Sequence, residues 1–269
     1  MKASHNTFQV DAPLTTLLPA GGWSFPVYDT SNCRAIELDI AQYGGAGPGR
    51  HMQWSVQHDG TYDLHNRQLS QFLAELRGWS LANPGHDVVT VLLCLKGVAD
   101  LGGFAAELDT YVGEFLCGGD LSRLYLPREL LDGSPDLRTA ARQRGWPTLA
   151  GLRGRFLLVM TGDESFLDTY ATAPAIRLGF ACVDCADDER PPAEYIAGKP
   201  NQLFLNYHLF GDHRSRWAPN LSAVRADPSI LLRGYLVQDD WWDVAVAAGL
   251  NMLATDRVSH PWPLAFIAR

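Results

Sequence analysis

Short apolar runs bounded by turn residues recur along all 269 residues, and helical periodicity lies between them. The runs are 33–40, 52–57, 88–95, 155–161, 179–184, 202–208, 232–238 and 251–255, and the opening Met1-Lys2-Ala3-Ser4-His5-Asn6 is a ninth, very short candidate. The clearest helix covers 66–82, where Leu69, Phe72, Leu73, Leu76 and Trp79 repeat at three- and four-residue spacing. Asn83-Pro84-Gly85 ends it, since a proline disfavours helix in the residue before it. Further helices are expected at 101–116, 164–172, 191–197 and 240–249. Strand-then-helix alternation implies parallel strands.

The length suits one α/β domain over 1–269, a (β/α)8 TIM barrel, for which roughly 250 residues is typical. A barrel needs eight strands, so one of the nine candidates is irregular; 179–184 is the first suspect. The stretch 117–150 reads as a long connection with short helices.

Net charge is −8, and no Lys/Arg run is interleaved with aromatics, which excludes nucleic acid as the expected partner. No apolar run approaches the roughly 18 residues of a membrane span. A chain beginning natively at Met1 would be cytoplasmic; one that has lost a leader would be secreted. No signal for oligomeric state is visible, and a monomer is compatible with the sequence. Five cysteines do not suggest a disulfide framework, and the lone Cys182-Val183-Asp184-Cys185 reads as buried thiols rather than a zinc or redox motif.

In a TIM barrel the active site lies at the C-terminal strand ends. There the sequence places His5-Asn6, Glu37-Leu38-Asp39, His58-Asp59 and Lys96, and later Asp163, Asp184, Asn206, His208, Gln238, Asp239 and Asp256. Glu37 and Asp39 share one face of an apolar strand, because residues i and i+2 point the same way. Burying two carboxylates is costly without a cation, an arginine or a proton. Arg34 or another basic group is one compensating partner. A hard divalent cation, Ca²⁺ or Mg²⁺, is the other, with Asn6 adding a carbonyl oxygen.

His5 and His58 can exchange protons near neutral pH. Asn206 and His208 are candidates to line the pocket. Trp241 is a candidate for stacking on a ring-shaped substrate, with core packing as the competing role. Asp256 can orient His5 across the barrel closure or cap a helix. His51, His65, His86 and His260 are expected in loops, solvated or capping. The glycines around Pro48 make 41–50 a candidate lid.

Three stretches carry a resemblance: Ala3-Ser4-His5-Asn6-Thr7-Phe8, Cys33-Arg34-Ala35-Ile36-Glu37-Leu38-Asp39 and Val56-Gln57-His58. Together they resemble the phosphatidylinositol-specific phospholipase C superfamily. Leu76-Arg77-Gly78-Trp79-Ser80 through His86 resembles its bacterial calcium-dependent branch. The likeness is strong over 3–96 and thinner beyond. It implies cleavage of a lipid or small-molecule phosphodiester by a neighbouring substrate hydroxyl. It further implies His5 and His58 as the acid/base pair, with Asp39 beside them. Asn6, Glu37 and Asp39 would hold Ca²⁺, and Lys96 would face the phosphate or polyol.

One departure stands out. Related enzymes commonly carry another carboxylate near Leu93-Cys94-Leu95-Lys96, and this chain has none there. Asp59 or Asp163 could complete the site, Lys96 could replace the cation, or the scaffold could serve a metal-free lyase or cyclase. A non-catalytic ligand-binding domain is the remaining alternative, and the pair of histidines speaks against it.

Overall fold

The apolar runs form nine strands in a computed structural model that describes residues 1–7, 13–18, 33–44, 52–58, 67–185, 192–209, 224–237 and 239–256. They are β1 (Lys2–Ser4), β2 (Ala35–Gly44), β3 (Met52–Val56), β4 (Val89–Gly97), β5 (Phe156–Gly162), β6 (Phe180–Cys185), β7 (Gln202–His208), β8 (Leu231–Tyr235) and β9 (Met252–Thr255). All but β3 are parallel and close a barrel in the order β1-β2-β4-β5-β6-β7-β8-β9. Closure comes from Lys2, Ala3 and Ser4 pairing with Leu253, Ala254 and Thr255, and from Ala3 pairing with Ala35. The fold is therefore the expected TIM barrel.

The strand left out of the barrel is not the suspected one. The 179–184 run is barrel strand β6, parallel to β7 from Cys182↔Phe204 to Cys185↔Tyr207 after a register shift at Ala181/Cys182. The extra strand is β3, antiparallel to β2 from Ile40↔Val56 to Gly44↔Met52. The reason is chain length. Only seven residues separate Gly44 from Met52, and a parallel crossover needs about a dozen or more.

Helices α1 (Leu69–Ala82), α2 (Phe104–Phe115), α3 (Pro127–Leu131), α4 (Leu137–Arg144), α5 (Glu164–Ala171), α6 (Pro192–Tyr195) and α7 (Asp239–Ala247) surround the strands. Helix α1 buries Leu69, Phe72, Leu73, Leu76 and Trp79, the stripe read from its periodicity. Gln68 and Gln71 cap it reciprocally, and the Asn83 side chain donates to Trp79 O at 2.9 Å at its end. No described helix is long and apolar enough to cross a membrane.

Strand β4 is buried from Val89 to Leu95, as expected for a strand packed on both faces. Behind the sheet, Trp146, Phe180 and Phe204 meet with ring centroids 5.4–6.0 Å apart. All five cysteines are buried free thiols. His86 corrects an expectation: it is 1% exposed, not solvated. Its ring nitrogens lie 2.9 Å from Ser80 Oγ and 2.6 Å from Asp87 O, so it pins the α1–β4 corner. His51, His65, His260, Asp59 and most of the 41–50 segment lie outside the described residues.

Candidate active site

A cavity of about 740 Å³ opens at the C-terminal ends of the barrel strands. His5, Asn6, Glu37, Asp39, His58 and Lys96 line one side, and Asp184, Tyr195, Asn206, His208 and Tyr235 line the other. The chain thus brings together the residues expected from separate strand ends. Trp241 is not among the lining residues; it packs against the core from α7, and its neighbour Trp242 is 2% exposed. Core packing is where the structure puts it.

Each side chain has a local reason for its place. His5 follows β1 directly, and its amide donates to Thr255 O at 3.0 Å. Its Nδ1 lies 2.7 Å from Asp256 Oδ1. An ionised carboxylate only accepts, so Nδ1 carries the proton and Nε2 is left as the basic nitrogen. Nε2 lies 3.9 Å from Glu37 Oε2. Asn6 turns the chain in the left-handed region at φ 47°, which asparagine tolerates. Thr7 Oγ1 then accepts the Glu37 amide at 2.9 Å, tying this turn to β2. His58 stands just past β3, so the hairpin carries it to the rim, with Nε2 3.9 Å from Asp39 Oδ2.

Glu37 and Asp39 are 4% and 2% exposed. Arg34, considered as their counter-charge, instead pairs with Asp87 at 2.7 Å, because it precedes β2 and lies at the opposite barrel end. The cation that meets Glu37 is Arg233, unnoticed in the sequence. Its Nη2 donates to Glu37 Oε2 at 2.7 Å and its Nη1 to Asn206 Oδ1, and its side chain is 1% exposed. The available signal was an arginine inside the apolar run Leu231-Leu232-Arg233-Gly234-Tyr235. Gly234 beside it is tightly packed: a Cβ there would push aside the side-chain ends of Leu209 and Leu250.

Asp39 is treated differently. Lys96 Nζ lies 3.3 Å from its Oδ2, yet this buried oxygen accepts no hydrogen bond. Burial pushes the Asp39 carboxyl above the usual range, Lys96 opposes this, and Glu37 adds to it. Asp184 has an Oδ1 with no hydrogen-bond partner, and burial raises its carboxyl to about 6 against the pull of Arg233. Asp163, one candidate to complete the acidic set, instead caps α5 by accepting the Ser165 amide at 2.8 Å. Tyr235 stacks between His5 and His208, at centroid distances of 5.6 and 4.9 Å.

A profile of the family described as phosphoinositide phospholipase C, Ca²⁺-dependent, matches residues 56–197, more than half of the chain. The chain belongs to this family. It is a phospholipase C-like phosphodiesterase. No curated protein sequence matches it. Among solved structures, it is similar to the calcium-dependent phosphoinositol-specific phospholipase C of a Pseudomonas species, with TM-score 0.73 and 18% identity over 98% of this chain and 91% of that one. The myoinositol complex of the Pseudomonas enzyme gives TM-score 0.71 and 21% identity over 96% and 89%. A Ca²⁺-dependent phosphatidylinositol-specific phospholipase C from Streptomyces antibioticus gives 0.63 and 19% over 85% and 86%. At these identities the likeness is one of fold.

The family suggests calcium, and this phospholipase C-like site has donors of the right kind. Asn6, Glu37 and Asp39 offer oxygens, and Asp39 Oδ2, with Lys96 at 3.3 Å but no well-formed hydrogen bond, is a carboxylate oxygen that can turn to an ion. The neighbouring strand adds no oxygen ligand at this level, since Cys94 is the register partner of Asp39. Burial, then Asp39 and Glu37, raise its thiol to about 12.

Proposed function

We propose that the enzyme splits an inositol phospholipid, or a related polyol or glycerol phosphodiester, by attack of a neighbouring substrate hydroxyl on phosphorus. The supporting observation is the 2.7 Å contact from His5 Nδ1 to Asp256. A carboxylate-oriented imidazole with Nε2 turned to the cavity is the arrangement of a general base. His5 Nε2 takes the proton of the attacking hydroxyl, whose oxygen bonds to phosphorus. His58, 40% exposed at the rim, protonates the leaving alcohol oxygen as its bond to phosphorus breaks. The products are a cyclic phosphate and an alcohol. Lys96, at the mouth of the cavity, offsets charge on the phosphoryl oxygens. Asn206 and His208 offer polar contacts to substrate hydroxyls. Asn6, Glu37 and Asp39 are the residues that would hold Ca²⁺, which when bound acts as a Lewis acid toward the phosphate.

The test is phosphorus NMR of phosphatidylinositol and glycerophosphoinositol incubated with the enzyme, with calcium or with chelator. A cyclic phosphate product is expected, with His5→Ala and His58→Ala each reducing its rate on the order of 100- to 10,000-fold. Absence of cleavage of any inositol, glycerol or choline phosphodiester at micromolar enzyme with calcium would overturn the proposal.

A further inference from the structure

The sulfur beside the two carboxylates suggests a second kind of ligand. Asp39 and Cys94 are register partners on adjacent parallel strands, so their side chains emerge side by side into the cavity. One carboxylate oxygen each of Glu37 and Asp39 and the Cys94 sulfur all lie within 4.8 Å of one another. Asp39 is 2% exposed, and its Oδ2 has the Lys96 ammonium at 3.3 Å as an ion-pair partner but no well-formed hydrogen bond, so an ion bound here would displace or join that ammonium.

We propose that Glu37, Asp39 and Cys94 form a binding site for a thiophilic divalent cation of the zinc class. Two carboxylate oxygens and one sulfur are a donor set that borderline metals accept and that calcium and magnesium do not. Around a tetrahedral zinc ion such donors stand roughly 3.5 Å apart, given metal–ligand distances of about 2.0 to 2.3 Å. Side-chain rotation of about an ångström closes the cluster to that spacing. As the metal–sulfur bond forms, the thiol proton leaves to solvent. Three anionic ligands then carry one charge more than the ion, and Lys96 or Arg233, already beside Asp39 and Glu37, balances it. The fourth position faces the cavity, the pattern of an exchangeable rather than a closed structural site. Because Glu37 and Asp39 also belong to the oxygen set, zinc and calcium compete for them. Zinc is therefore an inhibitor at this site.

The experiment uses the full chain, stripped with chelator and then dialysed. Cobalt(II) is the first probe, since thiolate coordination gives it a sulfur-to-metal charge-transfer band in the near ultraviolet. The band is expected in the wild type and in Cys182→Ser, and is expected to vanish in Cys94→Ser and Cys94→Asp. Zinc titrated by calorimetry should bind at one per chain, displace cobalt, and weaken at least 10-fold in Cys94→Ser. Cys94→Asp should weaken zinc and tighten calcium. Circular dichroism checks each variant for folding, and zinc protection of Cys94 against alkylation, read by mass spectrometry, tests the wild type alone. A cobalt band that survives in Cys94→Ser, or a wild-type Cys94 that zinc does not protect, would show the cysteine to be only a buried thiol. None of these readouts involves turnover, so their failure leaves the phosphodiesterase proposal standing, and the reverse also holds.

Discussion

Arg233 on β8 donates to Glu37 on β2 across the barrel interior, at 2.7 Å, between residues 196 positions apart. The contact links both walls of the cavity, because the same guanidinium also holds Asn206. It also sets the charge of the site, leaving Glu37 compensated and Asp39 the less satisfied of the two carboxylates.

Removing one partner of a buried pair strands the other's charge. Arg233→Met is expected to cost about 3–5 kcal/mol, and combining it with Glu37→Gln to recover most of that. Urea denaturation in chelator checks this; equal losses in the single and double variants would sink it.

Asp256 is half exposed, so its value lies in orienting His5 rather than in stability. Asp256→Asn is expected to lower turnover on the order of 100-fold while shifting unfolding free energy by less than about 1 kcal/mol. The acidic limb of the pH–rate profile, set by the general base, should move with it, which a merely structural role would not produce.

Asp184 binds its proton more tightly in the folded state, with a pKa raised to about 6 mainly by burial. Its stabilising effect is therefore present below about pH 4 and lost as the pH rises through 6. Above that, the ionised group costs up to about 3 kcal/mol. Asp184→Asn should be more stable than wild type at pH 8 and no different at pH 4, as read from denaturation midpoints.

Phe180 tests the status of β6. Packed between Trp146 and Phe204 and 1% exposed, it should cost about 3–5 kcal/mol as Phe180→Ala. A thermal midpoint within a degree or two of wild type would contradict a role in the barrel core.

Much of this was legible in the sequence, for physical reasons. Strand periodicity and the rule that barrel sites lie at C-terminal strand ends are local, and they were enough to collect His5, Asn6, Glu37, Asp39, His58 and Lys96. The Asp256–His5 contact followed from barrel closure, which makes the last strand the neighbour of the first. What failed were pairings. Arg233 could not be matched to Glu37 because spacing along the chain carries no distance across a barrel. His86 was misread because its burial depends on Trp79 and Phe156 packing over it. Trp241 offered an aromatic ring at a strand end, but helical geometry decided which way it faced. The 52–57 run had strand periodicity in full; only the seven residues before it revealed its direction.

That short connection has a consequence for how such an enzyme can change. Among the described strands β3 pairs only with β2, adding a single bridge from Ser55 to Gln68, and it takes no part in closing the ring. His58 is thus mounted on an appendage, while His5 directly follows the first barrel strand. His58, 40% exposed past the end of that strand, can change at less risk to folding than the buried Trp54 and Val56 within it. His5, tied by its amide to Thr255 at the barrel seam, has no such freedom.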